Sequence, residues 1–172
     1  MKGLAINHYL FTLCRLIMKP VLPHKTVTEK VNQFTRDLEN LLALPLESQI
    51  TYSNGIYQVD ISQSIPLGAE PHSGRVFRLR FYLHRDYIRI QLFILPPYLR
   101  KKGWGRHVWQ LFLACWHKEY SYFEAEYKTL DAQKFWLEMG FQIDEKSYIT
   151  FCPGYNYSGR KIYYKINKEP SH

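Results

Sequence analysis

Two glycines set among four cations, in the run Arg100-Lys101-Lys102-Gly103-Trp104-Gly105-Arg106, make this the stretch of the chain best equipped to hold an anion. An apolar, β-branched run from Tyr87 to Leu95 reads as a strand, Pro96 and Pro97 stop it, and an apolar-periodic helix follows from about Gly103. The glycines therefore fall at a strand-to-helix turn. Such a turn aims backbone N–H groups into one concavity, and the positive end of the helix dipole adds to them, which suits a phosphate. Two common phosphate-loop patterns do not fit. A P-loop needs Gly-Lys-Ser/Thr, whereas Arg106 and His107 follow Gly105, and a dinucleotide fingerprint needs a third glycine where Val108 stands. At Gly103 and Gly105 a Cβ would obstruct close backbone approach to phosphate, or a positive φ.

Other reactive side chains are scattered. Cys14, Cys115 and Cys152 are odd in number and share no C-x-x-C spacing, which points to a reduced, cytoplasmic chain rather than a disulfide framework. Cys115-Trp-His117 and His84-Arg-Asp86 lack the spacing of a zinc site, so no metal is expected. Glu124 and Glu126 alternate with Phe123 and Ala125 in a short strand pattern from Tyr122 to Tyr127, so both carboxylates share one face.

The elements that must position these groups are legible in outline. With 172 residues and 46% hydrophobic content, the chain is long enough for one domain with a real core. Leu4 to Met18 reads as an amphipathic helix within residues 1–23; Asn7, His8 and Arg15 make it too short and too polar for a membrane span. Packing, membrane association and dimerisation are the roles open to it. A second helix, capped by Thr26 or Thr28 and ending near Leu42, carries a stripe of Val27, Val31, Phe34, Leu38, Leu41 and Leu42. Gln49–Ser53 and Ile56–Ile61 flank Asn54-Gly55, a strong hairpin signal. A loop with Pro66, Gly68, Pro71 and Gly74 is a candidate substrate loop, and Arg75–Leu83 with Tyr87–Leu95 form a second hairpin. In the helix from Gly103 to Glu119, Val108, Leu111, Phe112, Cys115 and Trp116 make the buried face, leaving Trp104 and Trp109 exposed or lining a site. Two strands close the chain, about Lys146–Cys152 and Lys161–Ile166, joined by an aromatic loop with Tyr155 and Tyr157.

Leu95, Pro97, Arg100, Gly103 and Gly105 fall in register with the acetyl-coenzyme A pyrophosphate loop that the sequence resembles, that of the GCN5-related N-acetyltransferases (GNAT superfamily). About thirty residues on, Thr129 to Phe141 resembles the family's helix closed by glycine: Ala132, Phe135, Gly140 and Phe141 match, Thr129 replaces an asparagine and Trp136 replaces a tyrosine. The resemblance covers about residues 86–151. It implies an α/β fold with a mixed, largely antiparallel sheet and helices on both faces, in which the strand ending at Leu95 and the strand Tyr122–Tyr127 lie parallel and splay apart around the pantetheine arm. It further implies that Phe93, Ile94 and Leu95 pair with that arm through their backbones, and that Arg100, Lys101, Lys102, Gly103, Trp104, Gly105 and Arg106 hold the pyrophosphate. Trp136 would line the same site.

The activity implied is transfer of an acetyl or other acyl group from acetyl-CoA to an amine by direct attack. The acceptor class stays open among small molecules, peptides, proteins and aminoacyl-tRNA. An amine must lose a proton to attack, which asks for a carboxylate or a water chain, and Glu124 and Glu126 are the best-placed carboxylates. Tyrosine at the position of Trp136 would protonate the departing thiolate. An indole N–H donates a hydrogen bond but does not give up its proton, so Tyr127, Tyr155, Tyr157 or water is left for that task. The formal charge of +8 suits coenzyme A and equally nucleic acid or an acidic membrane face. Two other functions remain open: a catalytically degenerate acyl-CoA sensor or interaction protein, and a basic nucleic-acid-binding module.

Overall fold

The computed structural model describes residues 21–64, 76–148 and 160–166. The expected helix Leu4–Met18, the Pro66–Gly74 loop and the aromatic loop with Tyr155 and Tyr157 lie outside the described residues.

Helix α1 (His24–Leu42) starts one residue after Pro23, whose preset φ of −57° and carbonyl, bonded to the Val27 N–H at 3.1 Å, open the first turn without a side-chain cap. The expected caps Thr26 and Thr28 lie inside the helix. Val27, Val31, Phe34, Leu38 and Leu42 form its buried stripe, with Leu41 at the margin. Strands β1 (Leu46–Ser53) and β2 (Ile56–Gln63) meet across Asn54 and Gly55, whose φ values of 51° and 78° are what a two-residue hairpin matching strand twist requires. Strands β3 (Arg78–Leu83) and β4 (Ile88–Ile94) follow as a second hairpin. A 3₁₀ turn, Pro97–Leu99, leads to α2 (Trp104–Trp116), β5 (Tyr122–Tyr127) and α3 (Leu130–Glu138). Strands β6 (Gln142–Tyr148) and β7 (Arg160–Lys165) close the described sheet. β6 begins four residues earlier than the sequence suggested, because Gly140, at φ 89°, ends the helical region and turns the chain directly into the strand.

The sheet order is β1-β2-β3-β4-β5-β7-β6, antiparallel except where β4 lies parallel to β5. Both helical crossovers, β4-α2-β5 and β5-α3-β6, step across the sheet in the same direction, so the right-handed rule puts both helices on one face. α1 joins them there through Phe34 on Phe112 at 5.6 Å and a Lys30–Glu119 ion pair at 3.1 Å. Among the described residues the helices thus cover one face of the sheet. No helix among these residues is long and apolar enough to cross a membrane.

Of the two places the sequence left open for Trp109, exposed or lining a site, the first is ruled out. The side chain is only 4% exposed and packs on Phe112, Phe123, Trp136, Phe141 and Tyr164, at the centre of the core. α2 is wrapped on two sides, by the sheet and by α3, so its buried stripe widens to Gly105, Val108, Trp109, Phe112 and Trp116. Leu111 and Cys115 move to the half-buried margin. Burial pushes the Cys115 thiol up to about 11, which leaves it protonated and inert at neutral pH.

Candidate active site

The parallel strands part partway along. Ile88, Arg89 and Ile90 pair with Phe123, Glu124 and Ala125, and beyond Ile90 the ladder stops although both strands continue. The cause is a β-bulge: Phe81 faces Ile90 and Arg80 faces Leu92, which leaves Gln91 as an extra residue. A bulge bends its strand and resets the alternation of side chains. Ile90 and Phe93 therefore both face the core, while Leu92 turns to the opposite face. Without the bulge, Phe93 would point away from the helices.

The open strand runs into the loop of cations. Arg100 folds back so that its Nε donates to the Leu95 carbonyl at 2.8 Å, and its own N–H bonds the Pro97 carbonyl at 3.2 Å, closing the turn. Lys101 and Gly103 both adopt left-handed backbone, at φ 57° and 83°, and Gly103 caps α2 with no side-chain bond to the first-turn amides. No backbone carbonyl among the described residues accepts from the N–H groups of Lys101, Lys102, Gly103, Trp104 or Gly105. Alternating left-handed residues at a helix start form an anion-holding nest, and Arg100, Lys101, Lys102 and Arg106 stand exposed around it.

The two glycines serve different ends. A Cβ on Gly103 would meet nothing within 4 Å, so glycine is needed there for its positive φ. A Cβ on Gly105 would come within 2.8 Å of the Phe135 ring and 3.5 Å of Leu95, so glycine is needed there because α3 presses against the helix start. Gly105 and Phe135, from the two separate sequence motifs, fit each other.

The wall facing the open strand is aromatic. Phe93 packs on Phe135 at 5.6 Å and on Trp136 at 6.0 Å, and Trp136, 4% exposed, also touches Trp109 at 5.9 Å and Phe141 at 4.8 Å. The void left among Phe93, Val108, Trp109 and Trp136 is about 10 Å³, at the lower limit for one water. Trp136 fills its position, as a large aromatic in a core does. Thr129 caps α3: its Oγ1 accepts from the Ala132 N–H at 3.2 Å.

The candidate catalytic groups separate across the same boundary. Glu124, in the paired part of β5, accepts from Arg89 Nε at 3.0 Å, and both side chains are largely buried. Burial disfavours the Arg89 charge, but the Glu124 bond and nearby carboxylates outweigh it and raise its pKa. Arg89 escaped the sequence reading. Its signal is its position directly across the parallel pair from Glu124, which only the register reveals. Glu126 lies one step past the last pair, half-buried on the same face, with no ion-pair partner among the described side chains. Tyr127, on the core face, is 7% exposed, and its hydroxyl is buried without a hydrogen-bond partner among the described residues. No cluster of His, Cys, Asp and Glu that could hold a metal occurs among the described residues.

Comparison with known proteins begins with two negatives: no protein-family model matches the chain, and no curated protein matches it. Solved structures do. An acetyltransferase from Bacillus cereus is similar over 83% of this chain and 90% of its own, at 12% identity and a TM-score of 0.43. A Bacillus subtilis acetyltransferase in complex with CoA is similar over 72% of this chain and 99% of its own, at 10% identity and a TM-score of 0.44. The ribosomal-protein-S18-alanine N-acetyltransferase of Escherichia coli is similar over 69% of this chain and 74% of its own, at 10% identity and a TM-score of 0.46. The structural neighbours are acetyltransferases. At these identities the likeness concerns the fold.

Proposed function

We propose that the chain is an acetyl-CoA-dependent N-acetyltransferase acting in the cytoplasm. One observation carries the reading: a parallel strand pair opens after Ile90 and Ala125, and its open strand leads through the Pro97–Leu99 turn into a cation-ringed helix start that has no side-chain cap bond. The exposed edge of Phe93, Ile94 and Leu95 offers backbone groups to an extended pantetheine arm. The amides of Lys101, Lys102, Gly103, Trp104 and Gly105, with Lys and Arg side chains around them, suit a diphosphate. Arg100 contributes first as the clasp on Leu95, fixing the loop on the strand end.

Acetyl-CoA, when bound, supplies the activated acyl group. Glu126, beyond the last β4–β5 pair, is the carboxylate placed to take a proton from an acceptor amine; Glu124 is engaged by Arg89. The buried Tyr127 hydroxyl is the donor assigned to the departing anion. Trp136 lines the site by packing.

The filled space around Trp136 favours one competing reading, an acyl-CoA sensor with little turnover. Acetyl-CoA mixed with the full chain and a panel of amines separates the two. Amine-dependent release of free thiol is expected for the enzyme. A rise in melting temperature with no amine-dependent release would make it a sensor, and neither response would sink both.

A further inference from the structure

The sheet face opposite the helices holds a recess of about 250 Å³, many times the ~10–15 Å³ that one water needs and hence open to a molecule of amino-acid size. Gln49, Gln58, Ser62, Arg78 and the Asp60–Arg80 pair line it. Strand register builds it: Gln49, Asp60, Arg80 and Leu92 form one cross-strand row over four strands, and Ser62 lies opposite Arg78 in the next. Asp60 accepts from Gln58 Nε2 at 2.6 Å and from Arg80 Nε, so its charge is already answered. Arg78, half-buried, has no ion-pair partner among the described residues. A guanidinium fork beside amide and hydroxyl side chains is the chemistry that recognises a carboxylate.

The recess ends at Leu92 on β4, the strand next to the one that carries Glu126. Leu92, one of its walls, belongs to the part of β4 that has left β5, and it faces the same side of the sheet as Glu126 on the open part of β5. We propose that the recess is the carboxylate subsite of the acceptor: a small amine bearing a carboxylate, of amino-acid size, pairs with Arg78 while its amino group lies across β4 toward Glu126. This rests on the acetyltransferase reading.

The test uses the full chain and two readouts. Without coenzyme, alanine and tyrosine are titrated against ethylamine and tyramine, following backbone amide shifts in β1 to β3. The amino acids are expected to move Gln49, Gln58, Ser62 and Arg78, and the decarboxylated amines are not. Arg78→Gln should weaken binding about tenfold or more, the scale of a lost bond to a charged group, and Arg78→Lys, which keeps the charge and guards against misfolding, should retain part of it. With acetyl-CoA present, the preference for amino acid over amine should fall by a similar factor in Arg78→Gln, through KM. Equal shifts from acids and amines, or binding indifferent to Arg78, would overturn the subsite. Acetyl transfer whose acceptor preference ignores Arg78 would overturn the subsite and leave the acetyltransferase standing. Carboxylate binding at Arg78 with no transfer to any amine would overturn the acetyltransferase and, with it, the acceptor role of the recess.

Discussion

The β4–β5 pair is two regions joined end to end. Up to Ile90 and Ala125 the strands share a ladder, an Arg89–Glu124 lock on one face and the Trp109 cluster on the other. Beyond that point the ladder is gone, and the residues left without it, Phe93 to Leu95, Glu126 and Tyr127, together with the loop to Gly105, are those to which the proposed chemistry is assigned. The same two strands thus give rigidity at one end and an accessible backbone at the other, with a single extra residue, Gln91, marking the change.

Substitutions on either side should differ in kind. Trp109→Ala, in the closed region, is expected to cost about 3–5 kcal/mol of stability, read as a shift of the denaturant midpoint; a loss under about 1 kcal/mol would mean Trp109 does not anchor the core. Among the carboxylates, Glu126→Gln should lower turnover by about 10²-fold with little change in folding, the scale of a positioned base. Glu124→Gln should lower stability by removing the charge that answers Arg89 and leave turnover of the folded protein nearly intact. The reverse pattern would move the base into the closed region.

The glycines allow a finer division. Gly105→Ala forces a Cβ against the Phe135 ring and should destabilise by about 1–3 kcal/mol. Gly103→Ala has free space and a strained φ, so it should cost about 1–2 kcal/mol and show its main effect on acetyl-CoA affinity. Trp136→Phe should be mildest, lowering turnover less than about fivefold, because packing survives. A loss of 10²-fold or more, as for removal of a donor to developing charge, would make the indole a catalytic donor.

Local features were legible in the sequence. Asn54-Gly55 named its turn, since only residues tolerant of positive φ fit there, and the Leu95-Pro97-Arg100-Gly103-Gly105 spacing marked a strand-to-helix loop that the structure places at the start of α2. What failed depended on partners distant in the chain. Trp109 read as exposed or lining a site because helical periodicity assumes one buried side, whereas α3 covers a second; exposure is the part that failed. The bulge at Gln91 leaves no mark in a strand pattern, and Glu124 and Glu126 look alike until register gives Arg89 to one of them. The fit of Gly105 against Phe135, thirty residues later, is likewise invisible in the loop spacing.

Acetyl-CoA titrated into the isotopically labelled full chain, followed by backbone amide resonances, tests the central claim most directly. Saturable shifts concentrated at Phe93–Leu95 and Lys101–Gly105, weakened about tenfold in Gly103→Ala as a phosphate contact is lost, are the predicted result. Shifts spread over other parts of the sheet, or an affinity unchanged in Gly103→Ala, would contradict it.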